Sequence, residues 1–259
     1  MSKTTFRIIV FVVIPVLLVQ ANSSLTFGLH PQKSPQPAAK FQHAVTRSED
    51  AGRIMSMLAQ LPDSGMPKEL IDRAEAIAVF PKVVRHTDVI THVSKGYGVI
   101  SARQDQGWTM PAFYRFRGEG FGGPFSDPDA KCVILLFMNK DAVSWFEKGG
   151  VPLKNEKKAV EGPVGTITVE QRKELENVPI LAYSYFNGVL NGTAFGKSFW
   201  KSFSLNPDNN INKPVYGVKG REVLTGKTMD PAGVLTGISA YRDVLIKYYG
   251  RASATAFEK

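Results

Sequence analysis

The sequence predicts an α+β fold, a mainly antiparallel and barrel-like sheet with packing helices at its N-terminal and C-terminal ends. Three observations predict it. Apolar residues recur at helical spacing near both ends. The middle is made of short β-rich runs divided by glycines. Strands and helices do not alternate as βαβ winding would require. The chain has 259 residues, 43% hydrophobic and 21% charged, which suits an ordinary globular protein with a core of its own. A single cysteine, Cys132, excludes an internal disulfide framework and any cysteine-rich zinc module.

Read in order, the chain opens with a leader over residues 1–21. Lys3 and Arg7 precede the apolar run Ile8–Val19, and Val19-Gln20-Ala21 offers small residues for a signal peptidase. The run is short for a bilayer span, so the reading is a cleaved export signal, with an uncleaved anchor as the alternative. Residues 22–40, rich in Ser, Pro and Gln, read as a flexible tether to a single domain over 41–250, with a tail at 251–259. Thr46-Arg47-Ser48-Glu49 resembles a capping box ahead of Ala51, Ile54, Met55 and Leu58, which predicts a first helix. Pro67 suits a first helical position, and Leu70, Ile71, Ala74 and Ala78 extend an apolar stripe to Pro81, predicting a second. Strands are expected at Val83–Val93, Tyr97–Arg103, Trp108–Phe116, Lys131–Met138, Gly165–Val169, Pro179–Phe186 and Val189–Phe195. Asn187-Gly188 between two such runs is the strongest hairpin signal. Asp141–Lys148 reads as a short helix, and Leu235, Ile238, Leu245 and Tyr248 mark a last one.

Several motifs resemble catalytic or nucleotide-binding parts without completing them. Gly118-Glu119-Gly120-Phe121-Gly122-Gly123 fits the dinucleotide spacing, but Pro124 and Pro128 follow where a helix must start. Asn191–Ser198 and the run before Gly226-Lys227-Thr228 both miss the glycine register that cradles phosphate. His86, Asp88 and His92 share parity on one predicted strand. Along it, however, the histidines stand ~20 Å apart, too far for a shared metal without a bulge. Neither a nucleophile elbow nor a zinc-protease helix occurs in the sequence. The chain is therefore expected to be no enzyme and to need no cofactor; a metal-dependent enzyme on the His86 strand is the remote alternative.

The formal net charge of +9 points to an anionic partner. Basic residues concentrate at Lys197, Lys201, Lys213, Lys219, Arg221 and Lys227, against Asp208 and Glu222. Arg115 and Arg117 alternate on one strand face, and Lys95 and Arg103 can share another. Phe199, Trp200 and Phe203 lie among these cations, a composition suited to a lipid interface.

Several segments together resemble the SYLF lipid-binding domain family. They are Ala74–Pro81 with Val83-Val84, Gly96-Tyr97-Gly98-Val99-Ile100, and Gly107-Trp108-Thr109-Met110-Pro111-Ala112-Phe113 with the glycines at 118–122. Val133–Asn139, Gly162-Pro163-Val164-Gly165, Ala182-Tyr183-Ser184, Gly188–Gly192, Tyr216-Gly217 and Val223–Gly226 complete the set. The sequence departs from the family at His86–His92, at Gly123-Pro124-Phe125 and at Lys154–Lys158, so headgroup preference does not carry over. The resemblance implies a β-rich core that binds phospholipid without enzymatic activity, and for an exported chain the actin role of some fungal members is not transferred. The expectation is an exported protein, peripherally associated with anionic phospholipid membrane, with nucleic acid no expected partner. The candidate lipid-binding residues are Lys82, Arg85, Lys95, Arg103, Arg115, Arg117, Lys197 and Lys201, chosen by charge and position. The alternative partner is a protein or polyanionic polymer met by an envelope scaffold through the same basic surface.

Overall fold

The computed structural model describes residues 37–61, 65–87, 91–105, 107–121, 131–147, 159–193, 202–228 and 237–250, all within the compact unit Pro35–Lys259. In chain order they form α1 (Pro37–Leu58), α2 (Lys68–Arg73), β1 (Ala76–Thr87), β2 (Thr91–Gln104), β3 (Gly107–Trp108) and β4 (Ala112–Phe121). There follow β5 (Lys131–Phe137), α3 (Lys140–Glu147), β6 (Ala159–Glu161), α4 (Val169–Glu174), β7 (Ile180–Phe186) and β8 (Val189–Gly192). The last are β9 (Ser202–Pro207), α5 (Asn209–Tyr216), α6 (Gly220–Leu224) and α7 (Ala240–Tyr249). The class is α+β, as the sequence predicts, with a strongly curled half-barrel sheet and helices from both chain ends packed on it.

The sheet runs β6-β7-β5-β1-β2-β4-β9, with β3 on β2 and β8 on β7. Its described ladders are antiparallel except β6–β7, so β6 and β8 share one edge of β7 end to end. Strand alternation sorts the side chains onto two faces. On one, Phe80, Tyr114, Phe116, Val133, Leu135 and Leu205 are buried, with the Phe80 and Phe116 rings 5.4 Å apart. On the other, Ile77, Val79, Val99, Phe113, Ile134 and Leu136 are buried at the end of the sheet that the helices cover.

Specific hydrogen bonds hold that cover down. The Tyr241 hydroxyl donates to the Ile77 carbonyl at 3.0 Å, and Tyr216 stacks on Phe113 at 6.0 Å while donating to the Pro111 carbonyl. Asn212 accepts from the Phe113 amide and donates to the Phe113 carbonyl, both at 2.8 Å, as a paired strand would. Ser48 in α1 donates to the Ile238 carbonyl and accepts from the Tyr241 amide, and the Tyr249 hydroxyl donates to the Met55 carbonyl. These bonds join α1 to the α7 region, so the two chain ends form one layer over the sheet.

The structure corrects several expectations. Helix α1 begins at Pro37, so the predicted capping box at Thr46 lies inside it, and helix has taken the last residues assigned to the tether. Ser48 bonds across to the α7 segment and does not cap α1. The second helix stops at Arg73, and Ala76–Phe80 belongs to β1, because that apolar run is buried on both faces. The expected strand Val83–Val93 is divided between β1 and β2, which pair antiparallel with Thr87 opposite His92. Gly165–Val169 is no strand; Thr168 caps α4, its hydroxyl accepting from the Gln171 amide. Asn187 and Gly188 make the predicted hairpin turn with φ of 48° and 83°.

Candidate functional site

The register of β1, β2, β4 and β9 builds a basic surface where the helix layer stops. Val79 pairs with Val99, but the next β1 partner is Lys82 opposite Tyr97, so a bulge around Phe80 and Pro81 resets the strand. Gly98 permits this approach, since a Cβ there would collide with the Val79 carbonyl oxygen and stand 2.8 Å from Phe80 Cα. Beyond the bulge, Lys82, Tyr97, Arg115 and Asn206 form one cross-strand row. Val84, Lys95, Arg117 and Ser204 form the next, and His86, Val93 and Glu119 continue the same face. Lys82, His86, Lys95, Tyr97, Arg115, Arg117 and Glu119 are all exposed, Tyr97 at 54%.

Charge on this face is predominantly positive. Lys95 stands directly across from Arg117, an arrangement that destabilises a sheet when both neighbours are cations. Glu119 relieves part of it, one carboxylate oxygen accepting from Arg117 Nε at 3.0 Å and lying 2.9 Å from Nη2. At the border with the helices, the Arg47 guanidinium lies 4.5 Å over the Tyr97 ring and donates to Asp208 at 2.9 Å. That stacking steadies an exposed aromatic at the centre of the cations.

Of the candidate residues read from the sequence, Lys82, Lys95, Arg115 and Arg117 come together here. Arg85 pairs with Ser94 on the opposite face and is buried. Arg103 shares the parity of Lys95 but lies at the helix-covered end. There it donates to the carbonyls of Ala74, Ile71 and Tyr249 at 2.9, 3.2 and 3.3 Å and stacks on Trp108. Its charge complements the C-terminal ends of α2 and α7, so its place is in the fold and not on the basic surface. Lys197 and Lys201 lie outside the described residues, as do Phe199 and Trp200. Sequence reading did not single out Tyr97 or Arg47. The Gly96-Tyr97-Gly98 pattern was the available signal for Tyr97, because two glycines on one face leave the intervening side chain on the other.

Other groups offer less chemistry. His86 pairs with Val93 and His92 with Thr87, positions of alternate parity, so the predicted shared face is lost. Among the described residues no group of three or more His, Cys, Asp or Glu could hold a metal ion. Cys132 is buried, and desolvation pushes its thiol well above the ordinary range, holding it protonated. An open cleft of about 530 Å³ lies among β6, β8 and α4, lined by Glu161, Gln171, Glu174 and Asn191. It is at the opposite edge of the sheet from β9 and carries acids, the wrong sign for the partner that the charge predicts. Among the described residues no helix is long and apolar enough to cross a membrane.

Compared with models of protein families, with curated proteins and with solved structures, the chain finds no match.

Proposed function

We propose that this chain is an exported, non-enzymatic SYLF-like protein that docks on anionic phospholipid through the β1–β2–β4 basic rows. The observation that carries the reading is the register placing Lys82, Lys95, Arg115 and Arg117 on one exposed face around Tyr97. Cations near an anionic bilayer surface contribute ~1 kcal/mol each, so four of them, offset by Glu119, supply about 3 kcal/mol. Tyr97 adds an amphipathic ring of the kind that settles at the headgroup level. The leader at residues 1–21 and the sequence resemblance support export and the family reading.

The test is co-sedimentation of the full chain with phosphatidylcholine vesicles, with and without phosphatidylglycerol, at low and high salt. Binding confined to the anionic vesicles and released by salt supports the proposal. Absence of binding to either vesicle contradicts it and shifts the partner to a protein or polyanionic polymer.

A further inference from the structure

Resting on the lipid-docking reading, we infer that Lys95, Arg117 and Ser204 form a discrete subsite for a phosphate oxyanion, and that Glu119 occupies it in the unliganded protein. A merely solvated charged face mixes signs between cross-strand neighbours, since opposed like charges weaken the ladder. Here Lys95 and Arg117 are direct Cα partners, and Ser204 is the partner of Arg117 on its other side. Three donor side chains thus stand in one row, at the ~4.8 Å spacing of adjacent strands. A phosphate between them would relieve the repulsion that Glu119 relieves only in part.

The Glu119 contact shows how the position is held. One carboxylate oxygen faces both Nε and Nη2 of Arg117, at 3.0 and 2.9 Å, which is the side of a guanidinium that takes an oxyanion. Both side chains are about half exposed, at 52% and 53%. A solvent-exposed ion pair of this kind is weak. A phosphate offering two oxygens, with Lys95 beside it, can displace it. Glu119 therefore sets a threshold for binding.

A double-mutant cycle tests this on the full chain. Its members are the parent, Glu119→Gln, Arg117→Gln and the double variant, with Glu222→Gln as a control that removes the same charge at an exposed site on α6. Phosphatidylglycerol vesicle binding is measured for each. In parallel, inorganic phosphate is titrated while the Arg117 side-chain Nε–H resonance is followed by NMR. The expected result is a gain for Glu119→Gln that is roughly two- to five-fold larger in the parent than when Arg117 is already Gln, the measure of one weak exposed pair removed, and a smaller gain for Glu222→Gln. Equal gains for Glu119→Gln and Glu222→Gln, or a gain for Glu119→Gln that is as large without Arg117 as with it, would overturn the subsite. Vesicle binding with an unmoved Arg117 resonance also overturns it while leaving the lipid reading intact. A resonance that moves with phosphate, in a protein that ignores vesicles, upholds the subsite, makes free phosphate the ligand and defeats the lipid reading.

Discussion

Substituting Arg103 with Gln removes the guanidinium that joins the end of α2 to the end of α7. The bond to the Ala74 carbonyl is 2.9 Å, those to Ile71 and Tyr249 are longer at 3.2 and 3.3 Å, and the Trp108 ring centroid is 4.1 Å from the guanidinium carbon. Hydrogen bonds from a charged donor contribute about 1.5–3 kcal/mol at best. The two long ones count for less in a half-buried setting, and a shorter Gln retains at most one. The stacking adds ~0.5–1 kcal/mol. The expected loss is therefore about 2–3 kcal/mol, read as a fall of roughly 1 M in the urea midpoint at a slope of about 2–3 kcal/mol/M. Below the transition, binding of the variant to anionic vesicles should stay within about two-fold of the parent, because one charge near the surface contributes only ~1 kcal/mol and this one is turned away from it. A loss under about 0.5 kcal/mol, within the range of ordinary surface changes, would refute the structural role. Binding that falls as far as in Arg117→Gln would refute the separation of the two arginines.

Gly98→Ala should destabilise by ~2–4 kcal/mol in the same urea assay, because the added methyl meets the β1 backbone at the bulge and not a yielding side chain. Asn212→Ala leaves the buried Phe113 amide without its partner, while the Phe113 carbonyl keeps the Asp208 amide at 2.8 Å; calorimetry should find a loss of ~2 kcal/mol. Burial raises the phenols of Tyr183, Tyr216, Tyr241 and Tyr249 above their ordinary range. Below pH ~10 both folded and unfolded chains keep these protons, and stability is unaffected. Above it the unfolded chain releases them first, so stability should fall with rising pH by up to ~1.4 kcal/mol per unit for each tyrosine. Urea midpoints that stay flat from pH 9 to pH 11 would contradict that burial.

The sheet was legible where strand patterning and turn chemistry agreed. Lys131–Met138 reads as a buried strand from its mostly apolar, β-prone composition, and β5 ends one residue sooner at Phe137; Asn187-Gly188 fixes the β7–β8 hairpin through two positive φ values. The region Ala74–Pro81 misled because alanines and valines suit either period, and only pairing with both β2 and β5 selects the strand. β9 and α5 were missed for a related reason. Ser202–Pro207 has little apolar content, and it is a strand because β4 offers an edge to it, a fact of topology and not of local composition. For the basic surface, alternation was enough to place Arg115 and Arg117 together. Joining Lys82 and Lys95 to them required the register, which the bulge at Phe80 and Pro81 sets. Arg103 was misassigned because charge alone does not distinguish a cation facing solvent from one capping two helix ends.

The most direct test of the central claim is vesicle co-sedimentation of the full chain carrying Lys82→Glu, Lys95→Glu, Arg115→Glu and Arg117→Glu together, beside the parent at low salt. All four side chains are exposed, so the variant should keep the parent's fold by circular dichroism. Removal of the four cations takes away about 4 kcal/mol of attraction, and with repulsion from the new carboxylates added, binding to anionic vesicles should fall more than 100-fold. Binding unchanged in a folded variant would contradict the account, because the rows that β1, β2 and β4 align would then not be the surface that meets the membrane.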